Sequence, residues 1–551
     1  MRKNDSNKNK IRIILHILFA LFIFLHALFF IVYWFSVGNF RQSVDQFISE
    51  IIHFEFIYIF LVMILTTAIG LWSLVRIVKL SIIFRKHQWT PGVKHWLYIS
   101  TGIIFIGLFY GSFYFILKEN PSQRGVLFHL FNLIRLGSDP LLFLLAGVGL
   151  QRLILYLRRK SAIDRRKLLW RTGVIGALVL MIGLWLLPAI FPPNWAYQSD
   201  LPAKPALIAH RGASMLVPEN TLAAIETAAV NQAFGFETDL RISLDGVPFL
   251  MHDDTFVRTT NIGEIFPESV EDLASSFTLN ELRQLNAGLW FIQKDPYDTI
   301  RGGYVSQTQL AINQGQGIPT LSDALALVKK EGMIIMFDMR YPPQDHPFFD
   351  EFFDVVLTKC LESGLSEDVW FLVEPDKLDM LKQKARQFTR VYGANSSDLL
   401  DAESLLDLGY EIVNVDTGIQ THNIQNYREK GLGVNVYTID QPWLFSQFWL
   451  SGVTSVTTNN VHTLSQMDRP MLNIPYAHFV LIWGLFGIIV AIWLAASQPK
   501  YSREALQKLP TPDLMDFAVE DDKDFLKTIH PASLQAVHPR AEFDEFEDAE
   551  E

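Results

Sequence analysis

The sequence contains a single cysteine, few charged residues and no excess of positive charge. Cys360 is alone among 551 residues, so an intrachain disulfide and a cysteine-rich zinc module are excluded. Charged residues make up 19% of the chain, against about 25% in average soluble domains. The net charge of −11 argues against a nucleic-acid binder. Because half of the residues are apolar, a disordered chain and an ordinary cytosolic enzyme are excluded as well.

The sequence does contain long apolar runs. A bilayer-spanning helix needs roughly 20 mostly apolar residues. Six stretches qualify, at 13–36, 55–78, 96–117, 138–157, 168–191 and 476–496. The first is too long for a signal-peptide core, and no small-residue cleavage site follows it. We therefore predict a membrane domain of about five helices over residues 1–192 and a sixth transmembrane helix at 476–496.

Lysine and arginine are distributed unevenly around these stretches. The loops and chain ends on one side carry 20 of them, and those on the other side carry three. The richer side is expected to be cytoplasmic. This predicts a multi-pass cell-membrane protein whose N-terminus and acidic tail, 497–551, are cytoplasmic. The large segment between the fifth and sixth helices is then extracellular.

That segment, 193–472, has a different pattern. Eight short apolar runs alternate with helix-like stretches. The runs are 206–209, 235–242, 333–339, 369–373, 390–393, 412–416, 433–438 and 453–458. This alternation predicts an α/β fold, a (β/α)8 TIM-type barrel. A doubly wound open sheet is the alternative.

A long insertion, about 256–317, interrupts the alternation. It carries the aromatic residues Trp290, Phe291, Tyr297 and Tyr304. We expect it to lie over the mouth of the barrel, either as a substrate cap or as a lid that only shields the mouth.

Polar residues follow the first predicted strand. His210 and Arg211 lie at the strand end where such barrels place active sites. Glu219 and Asn220 come next, just before a helix. Capping of that helix is the alternative explanation for Asn220.

Carboxylates lie within the predicted strand 235–242 and at the end of the predicted strand 333–339. Glu237 and Asp239 are two residues apart, so they share one face of a strand. Paired carboxylates bind a hard cation such as Mg²⁺ or Ca²⁺, although exposed strand residues are the alternative. Asp338 and Arg340 have the same spacing, which makes Asp338 the candidate for a third carboxylate ligand.

A hairpin is predicted beside these carboxylates. The turn pair Asp245-Gly246 is followed by the short apolar run 248–251. Folding the chain symmetrically about this turn puts Asp239 opposite His252. Two histidines suit proton transfer, the carboxylates suit a metal, and the arginines suit an anion. Since the sequence shows neither a Ser-His-Asp arrangement nor a Gly-rich nucleotide loop, this combination indicates phosphodiester cleavage.

Residues 207–255 strongly resemble the glycerophosphodiester phosphodiesterase family. The matching motifs, in order, are Ala209-His210-Arg211-Gly212, Pro218-Glu219-Asn220-Thr221, Glu237-Thr238-Asp239 and His252-Asp253-Asp254-Thr255. The preceding membrane helices resemble the membrane-attached bacterial branch of the family.

The resemblance implies a role for each residue. His210 and His252 would be the catalytic acid–base pair, and Glu237 and Asp239 would be metal ligands. Arg211 would bind the phosphate, with Glu219 and Asn220 supporting or contacting it. Family members usually carry Glu-x-Lys where this chain has Asp338-Met-Arg340, so Asp338 would complete the metal site and Arg340 would supply the lysine's charge to the phosphate.

The implied activity is hydrolysis of glycerophosphodiesters to sn-glycerol 3-phosphate and an alcohol, with Mg²⁺ or Ca²⁺ as cofactor. The expected substrates are deacylated phospholipids, lysophospholipids or an envelope glycerophosphate polymer, met at the membrane lipid. Two alternatives stay open: a non-catalytic phosphodiester-binding membrane protein or transporter, and a related lysophospholipase D or barrel phospholipase. The oligomeric state is left open.

Overall fold

The computed structural model describes two main parts of the chain. The first is 2–133, with gaps at 53, 55, 87–92 and 120–122, and the second is 200–496. Between them only scattered positions are described. Most of the predicted spans 138–157 and 168–191 and the whole predicted tail 497–551 therefore lie outside the described residues.

Among the described residues before the barrel are the helices α1 (Arg2–Ser36), α2 (Gly38–Ile52), α3 (Tyr58–Lys86) and α4 (Val93–Glu119), and residues 123–133 are helical as well. Within the described residues, three stretches are long and apolar enough to cross a membrane, namely Leu15–Ser36, Tyr58–Phe84 and His95–Lys118. They correspond to the first three predicted spans. Helix α2 occupies what was predicted to be a loop.

Nine strands follow. They are β1 (Ala206–His210), β2 (Gly235–Ile242), β3 (Pro248–Leu250), β4 (Ile334–Met339), β5 (Val369–Leu372), β6 (Thr389–Ala394), β7 (Ile412–Asp416), β8 (Gly433–Tyr437) and β9 (Ser455–Thr458). All except β3 run parallel, each beside the next, and β1 pairs with both β9 and β2. The sheet is therefore closed, which confirms the (β/α)8 barrel over the open sheet. A two-residue pairing, Ala196–Tyr197 with Ile474–Pro475, lies outside it.

The helices of the barrel and its insertion lie between and after these strands in the chain. They are α5 (Leu222–Val230), α6 (Ile262–Ile265), α7 (Leu279–Leu282), α8 (Leu289–Lys294), α9 (Gln307–Gln314), α10 (Leu321–Glu331), α11 (Phe352–Ser363), α12 (Pro375–Lys384), α13 (Ala402–Leu408), α14 (Thr421–Glu429), α15 (Pro442–Ser451) and α16 (Val461–Leu464). Two 3-10 turns, Pro267–Ser269 and Ala274–Ser276, lie in the insertion. The apolar helix α17 (Tyr476–Ala496) follows at the position of the sixth predicted span.

The hairpin forms, but its predicted register is wrong by one residue. Leu240 lies opposite Leu250, and the Asp239 carbonyl accepts a hydrogen bond from the Met251 backbone nitrogen at 3.0 Å. The loop has three residues, 244–246, rather than two, because Ser243 pairs with Val247. Gly246 takes φ +82, as such loops require. His252 therefore lies beyond the strand pairing and not opposite Asp239.

The barrel packs against the membrane-proximal part of the chain. Residues 123–133 are helical, and the ring of His129 lies 4.4 Å from that of Phe448 in α15. At Gly125 an added Cβ would lie 1.9 Å from the Thr417 carbonyl oxygen, so only glycine fits there. Every residue of α15 from 444 to 451 is buried, and the helical segment 123–133 covers part of its outer face. Experiments on the barrel therefore need the full chain.

Candidate active site

The register of the parallel strands brings the predicted residues to one end of the barrel. His210, the last residue of β1, lies beside Glu237 of β2. Asp239 of β2 lies beside Asp338 of β4. Since all three strands run in the same direction, their side chains meet at the carboxyl ends, where barrels of this type hold their active sites.

Glu237, Asp239 and Asp338 form a compact carboxylate cluster. Each offers an oxygen within 4.8 Å of the others. Burial, together with the charge of Asp239, raises the pKa of Glu237, and burial also raises the pKa of Asp338. A divalent cation among these oxygens would relieve their mutual repulsion. Because the donors are all carboxylate oxygens, the cluster fits a hard ion such as Mg²⁺ or Ca²⁺.

Two arginines hold this cluster in place. Arg340 donates from Nε and Nη2 to Asp239 Oδ1, at 3.1 and 3.0 Å, and its Nη2 lies 2.8 Å from Asp338 Oδ2. Arg211 Nε lies 3.3 Å from Asp239 Oδ2. Asn220, which is buried, donates to the same Oδ2 at 3.1 Å. Asp239 is thereby fixed from both sides, and part of the cluster's charge is neutralised.

The backbone at Arg211 contributes as well. Arg211 has φ +54, a conformation uncommon outside glycine. In this conformation its backbone nitrogen donates to Glu237 Oε2 at 3.1 Å. The turn after β1 therefore aims both the amide and the side chain of one residue at the carboxylate cluster.

Glu219 lies between two guanidinium groups. It accepts from Arg211 Nη1 at 2.9 Å and from both Nη atoms of Arg258 at 2.9 and 2.7 Å. Burial alone would raise the pKa of Glu219, but these hydrogen bonds and charges lower it to about 2. Arg258 was missed by sequence reasoning; its only signal is its place shortly after the His252 motif.

His210 is held in one orientation by Asn459. Its Nδ1 lies 2.7 Å from Asn459 Oδ1, while the Asn459 Nδ2 donates to Asp440 Oδ2 at 2.9 Å. A carboxylate accepts only, so the amide group of Asn459 cannot be reversed. Nδ1 of His210 therefore carries the proton and Nε2 has a free lone pair. Burial, together with the charge of Arg211, lowers the pKa of His210, which favours this neutral form.

His252 has a charged partner instead. Its Nδ1 lies 2.6 Å from Asp253 Oδ1, and Arg258 donates to the same carboxylate. Burial raises the pKa of Asp253, but His252 and Arg258 lower it further than burial raises it, so it lies below its ordinary value. The two histidines therefore have different partners, a neutral amide for His210 and a carboxylate for His252.

The space beside the carboxylate cluster is open. A cavity of about 430 Å³ adjoins Asp338 and has aromatic walls from Tyr341, Phe349 and Phe353. The insertion contributes Tyr297, which lies near Glu219, Asp440 and Arg211 and whose pKa is raised by burial. Tyr304 of the same insertion is 68% exposed.

All the residues predicted to form the site therefore lie close together. They are His210, Arg211, Glu219, Asn220, Glu237, Asp239, His252, Asp338 and Arg340. Sequence reasoning assigned no role to Arg258, Asn459 or Asp440. Asn459 follows β9 and Asp440 follows β8 in the chain. They come close to His210 because β9 pairs with β1 and closes the barrel, and a linear sequence pattern does not reveal this closure.

Comparisons with known proteins agree with this geometry. Residues 210–463 match the model of the Glycerophosphoryl diester phosphodiesterase family. The chain is similar to a glycerophosphoinositol inositolphosphodiesterase of Mus musculus, at 36% identity, covering 54% of this chain and 54% of the relative. It is also similar to the glycerophosphodiester phosphodiesterase domain-containing protein 5 of Gallus gallus, at 35% identity, covering 58% of this chain and 54% of the relative.

The chain spans about half the length of these curated relatives. Because they are animal proteins, the expected likeness to the bacterial branch is not supported. A solved Oleispira antarctica phosphodiesterase in complex with the product sn-glycerol-3-phosphate is 22% identical, with a TM-score of 0.38, covering 47% of this chain and 95% of its own.

Proposed function

We propose that this chain, whose barrel over residues 210–463 belongs to the glycerophosphoryl diester phosphodiesterase family, is a membrane-anchored, metal-dependent phosphodiesterase that hydrolyses glycerophosphodiesters to sn-glycerol 3-phosphate and an alcohol. One observation carries the proposal. His210, Arg211 and the carboxylate cluster share one end of the barrel, and a cavity adjoins Asp338 of the cluster. This arrangement supports phosphodiester cleavage because it combines a base, a cation for the phosphate and a metal site.

Glu237, Asp239 and Asp338 would hold the metal. When bound, a divalent ion supplies positive charge to the phosphoryl oxygens as negative charge grows on them in the transition state. Arg211 adds a second positive charge beside the cluster and binds the phosphate. Glu219 orients Arg211, and Asn220 and Arg340 orient Asp239. Arg340 also faces the phosphate.

His210 is the general base. Its Nδ1 proton is donated to Asn459, so Nε2 is free to accept a proton. That nitrogen lies 3.9 Å from Glu237 Oε2, on the side of the carboxylate cluster. His210 therefore takes the proton from the nucleophile, which is water or the 2-hydroxyl of the glycerol.

His252 is the general acid. Asp253 accepts a hydrogen bond from its Nδ1, which fixes the orientation of the ring. Nε2 then gives its proton to the oxygen of the departing alcohol. The cavity beside Asp338 provides space for that alcohol.

Release of sn-glycerol 3-phosphate tests the proposal. The full-length chain in lipid would be incubated with glycerophosphoinositol and glycerophosphocholine, and with a lysophospholipid, from which the same cleavage releases acylated glycerol 3-phosphate. We expect product that disappears with EDTA and returns with Mg²⁺ or Ca²⁺, because the carboxylate cluster holds the metal. A phosphorylated alcohol in place of glycerol 3-phosphate would instead indicate a phospholipase-type cleavage. No release from any substrate, with metal present, would favour the non-catalytic alternative.

We also propose that the barrel is extracellular and that the N-terminus and the tail are cytoplasmic, which the lysine and arginine distribution supports. Because Cys360 is buried, labelling of introduced cysteines can report the topology. An impermeant maleimide added to intact cells should label Tyr304→Cys and should leave Asn4→Cys unlabelled until the membrane is opened. The reverse pattern would overturn this orientation.

A further inference from the structure

The backbone of His252 lies beyond the hairpin pairing and is held by a side chain of β2. The pairing ends where the Met251 backbone nitrogen donates to the Asp239 carbonyl at 3.0 Å. One residue later, the carbonyl oxygen of His252 accepts a hydrogen bond from Nη2 of Arg241 at 2.7 Å. A guanidinium therefore takes over from the strand pairing at the residue that carries the catalytic ring.

Arg241 is built into the same face of β2 as two carboxylates of the cluster. Side chains alternate along a strand, so Glu237, Asp239 and Arg241 share one face. The Arg241 side chain is only 7% exposed, and a buried charge needs polar partners. Its Nη2 donates to Asp254 Oδ1 at 2.7 Å as well as to the His252 carbonyl. One nitrogen thus ties down both ends of the segment 252–254.

We propose that Arg241 is a positioning residue for His252. The inference rests on the hydrolysis proposed above, in which His252 protonates the departing alcohol. Asp253 fixes the rotation of the imidazole ring through Nδ1, and Arg241 fixes the backbone from which the ring projects. Because a hydrogen bond from a charged donor is stronger than a neutral one, it can hold a residue that has left the strand pairing.

Loss of the guanidinium should affect the transition state more than substrate binding. Nε2 of His252 would no longer be aligned with the leaving oxygen, and proton transfer depends on this alignment. We therefore expect kcat to fall while KM changes little. The Asp254 side chain is 79% exposed, so water can solvate its carboxylate once Arg241 is replaced, and the barrel should still fold.

Two substrates separate positioning from a general structural role. Arg241→Met, which keeps a long side chain without a donor, would be compared with His252→Ala in the full-length chain with metal present. On a glycerophosphodiester with an alkyl alcohol, we expect Arg241→Met to lower kcat by about 10-fold, the effect of one hydrogen bond. On a p-nitrophenyl phosphodiester, whose leaving group needs no proton, both variants should recover most of the wild-type rate.

Two further variants complete the comparison. The double variant of Arg241→Met and His252→Ala should be no slower than His252→Ala alone, because Arg241 acts through that ring. Arg283→Met, at an exposed arginine of the insertion, is the matched control and should behave as wild type on both substrates. Equal slowing of Arg241→Met on both substrates would overturn the inference, since it would indicate a structural role.

A second readout does not depend on turnover. The backbone amides of Met251 and Ala274 donate to carbonyls at 3.0 and 2.7 Å, so their hydrogen exchange without substrate reports whether the segment around His252 stays in place. We expect faster exchange in Arg241→Met and wild-type exchange in Arg283→Met. Unchanged exchange in Arg241→Met would contradict the inference. If the wild-type chain releases no product, the proposed function fails, and the exchange rates still decide whether Arg241 holds this segment.

Discussion

Replacing His210 with alanine should lower kcat by about 100-fold or more, the scale of general acid–base catalysis. His210 is partly buried, its pKa is lowered by burial and by the charge of Arg211, and Asn459 orients its ring. KM should change far less, because the proton moves only in the transition state. Initial rates over a range of substrate concentrations measure both quantities. His422→Ala, an exposed histidine on α14, is the control.

The same experiment separates the base from the acid. His252→Ala should be equally slow on substrates with an alkyl alcohol, because that leaving group needs a proton. On a p-nitrophenyl phosphodiester, whose leaving group needs none, His252→Ala should recover most of the wild-type rate. His210→Ala should stay slow on both substrates. Recovery in His210→Ala instead would reverse the two roles, and near-normal rates in both variants would remove the histidines from the mechanism.

Replacing Glu219 with glutamine should destabilise the barrel by about 3 kcal/mol at neutral pH, since removing one partner of a buried ion pair leaves an uncompensated charge. Glu219 neutralises two guanidinium groups, those of Arg211 and Arg258. The size agrees with the pKa of the carboxyl, which falls from 4.5 to about 2, and each pKa unit corresponds to about 1.4 kcal/mol.

The sign of the pH dependence follows from this depressed pKa. The stabilisation by Glu219 is complete above about pH 4.5, its ordinary value, and is lost as the pH falls towards 2. Thermal unfolding of wild type and Glu219→Gln at several pH values between 3 and 7 measures the difference. The difference in stability between wild type and Glu219→Gln should be largest at neutral pH and should shrink below about pH 4.5. Glu226→Gln, a change at an exposed residue of α5, should be as stable as wild type at every pH. A stability difference for Glu219→Gln that stays constant with pH would contradict the ion-pair explanation.

Much of the fold could be predicted from the sequence because its signals are local. A run such as 369–373 is apolar throughout and short, which distinguishes a buried parallel strand from an amphipathic helix. The first three membrane stretches were found for the same kind of reason, since bilayer thickness fixes their length. Helix α2 was missed because it is neither apolar nor bounded by strong turn residues.

The candidate site was predicted where its residues lie in, or at the end of, a recognisable strand. His210 ends β1, and Glu237 and Asp239 share one face of the adjacent strand β2, so strand alternation already places that pair on one side. The hairpin register was wrong because a two-residue and a three-residue loop share the same Asp245-Gly246 signal, and the choice depends on the pairing of Ser243 with Val247.

The sequence by itself determined the barrel, three apolar stretches long enough to cross a membrane and the residue types of the candidate site, because periodicity and short motifs record them. Only the tertiary structure decided what orients those residues. Arg258 and Asn459 reach the site from a hairpin flank and the closing strand. Closure of the sheet brings these distant segments together, and contacts of that kind leave no periodic trace in the chain.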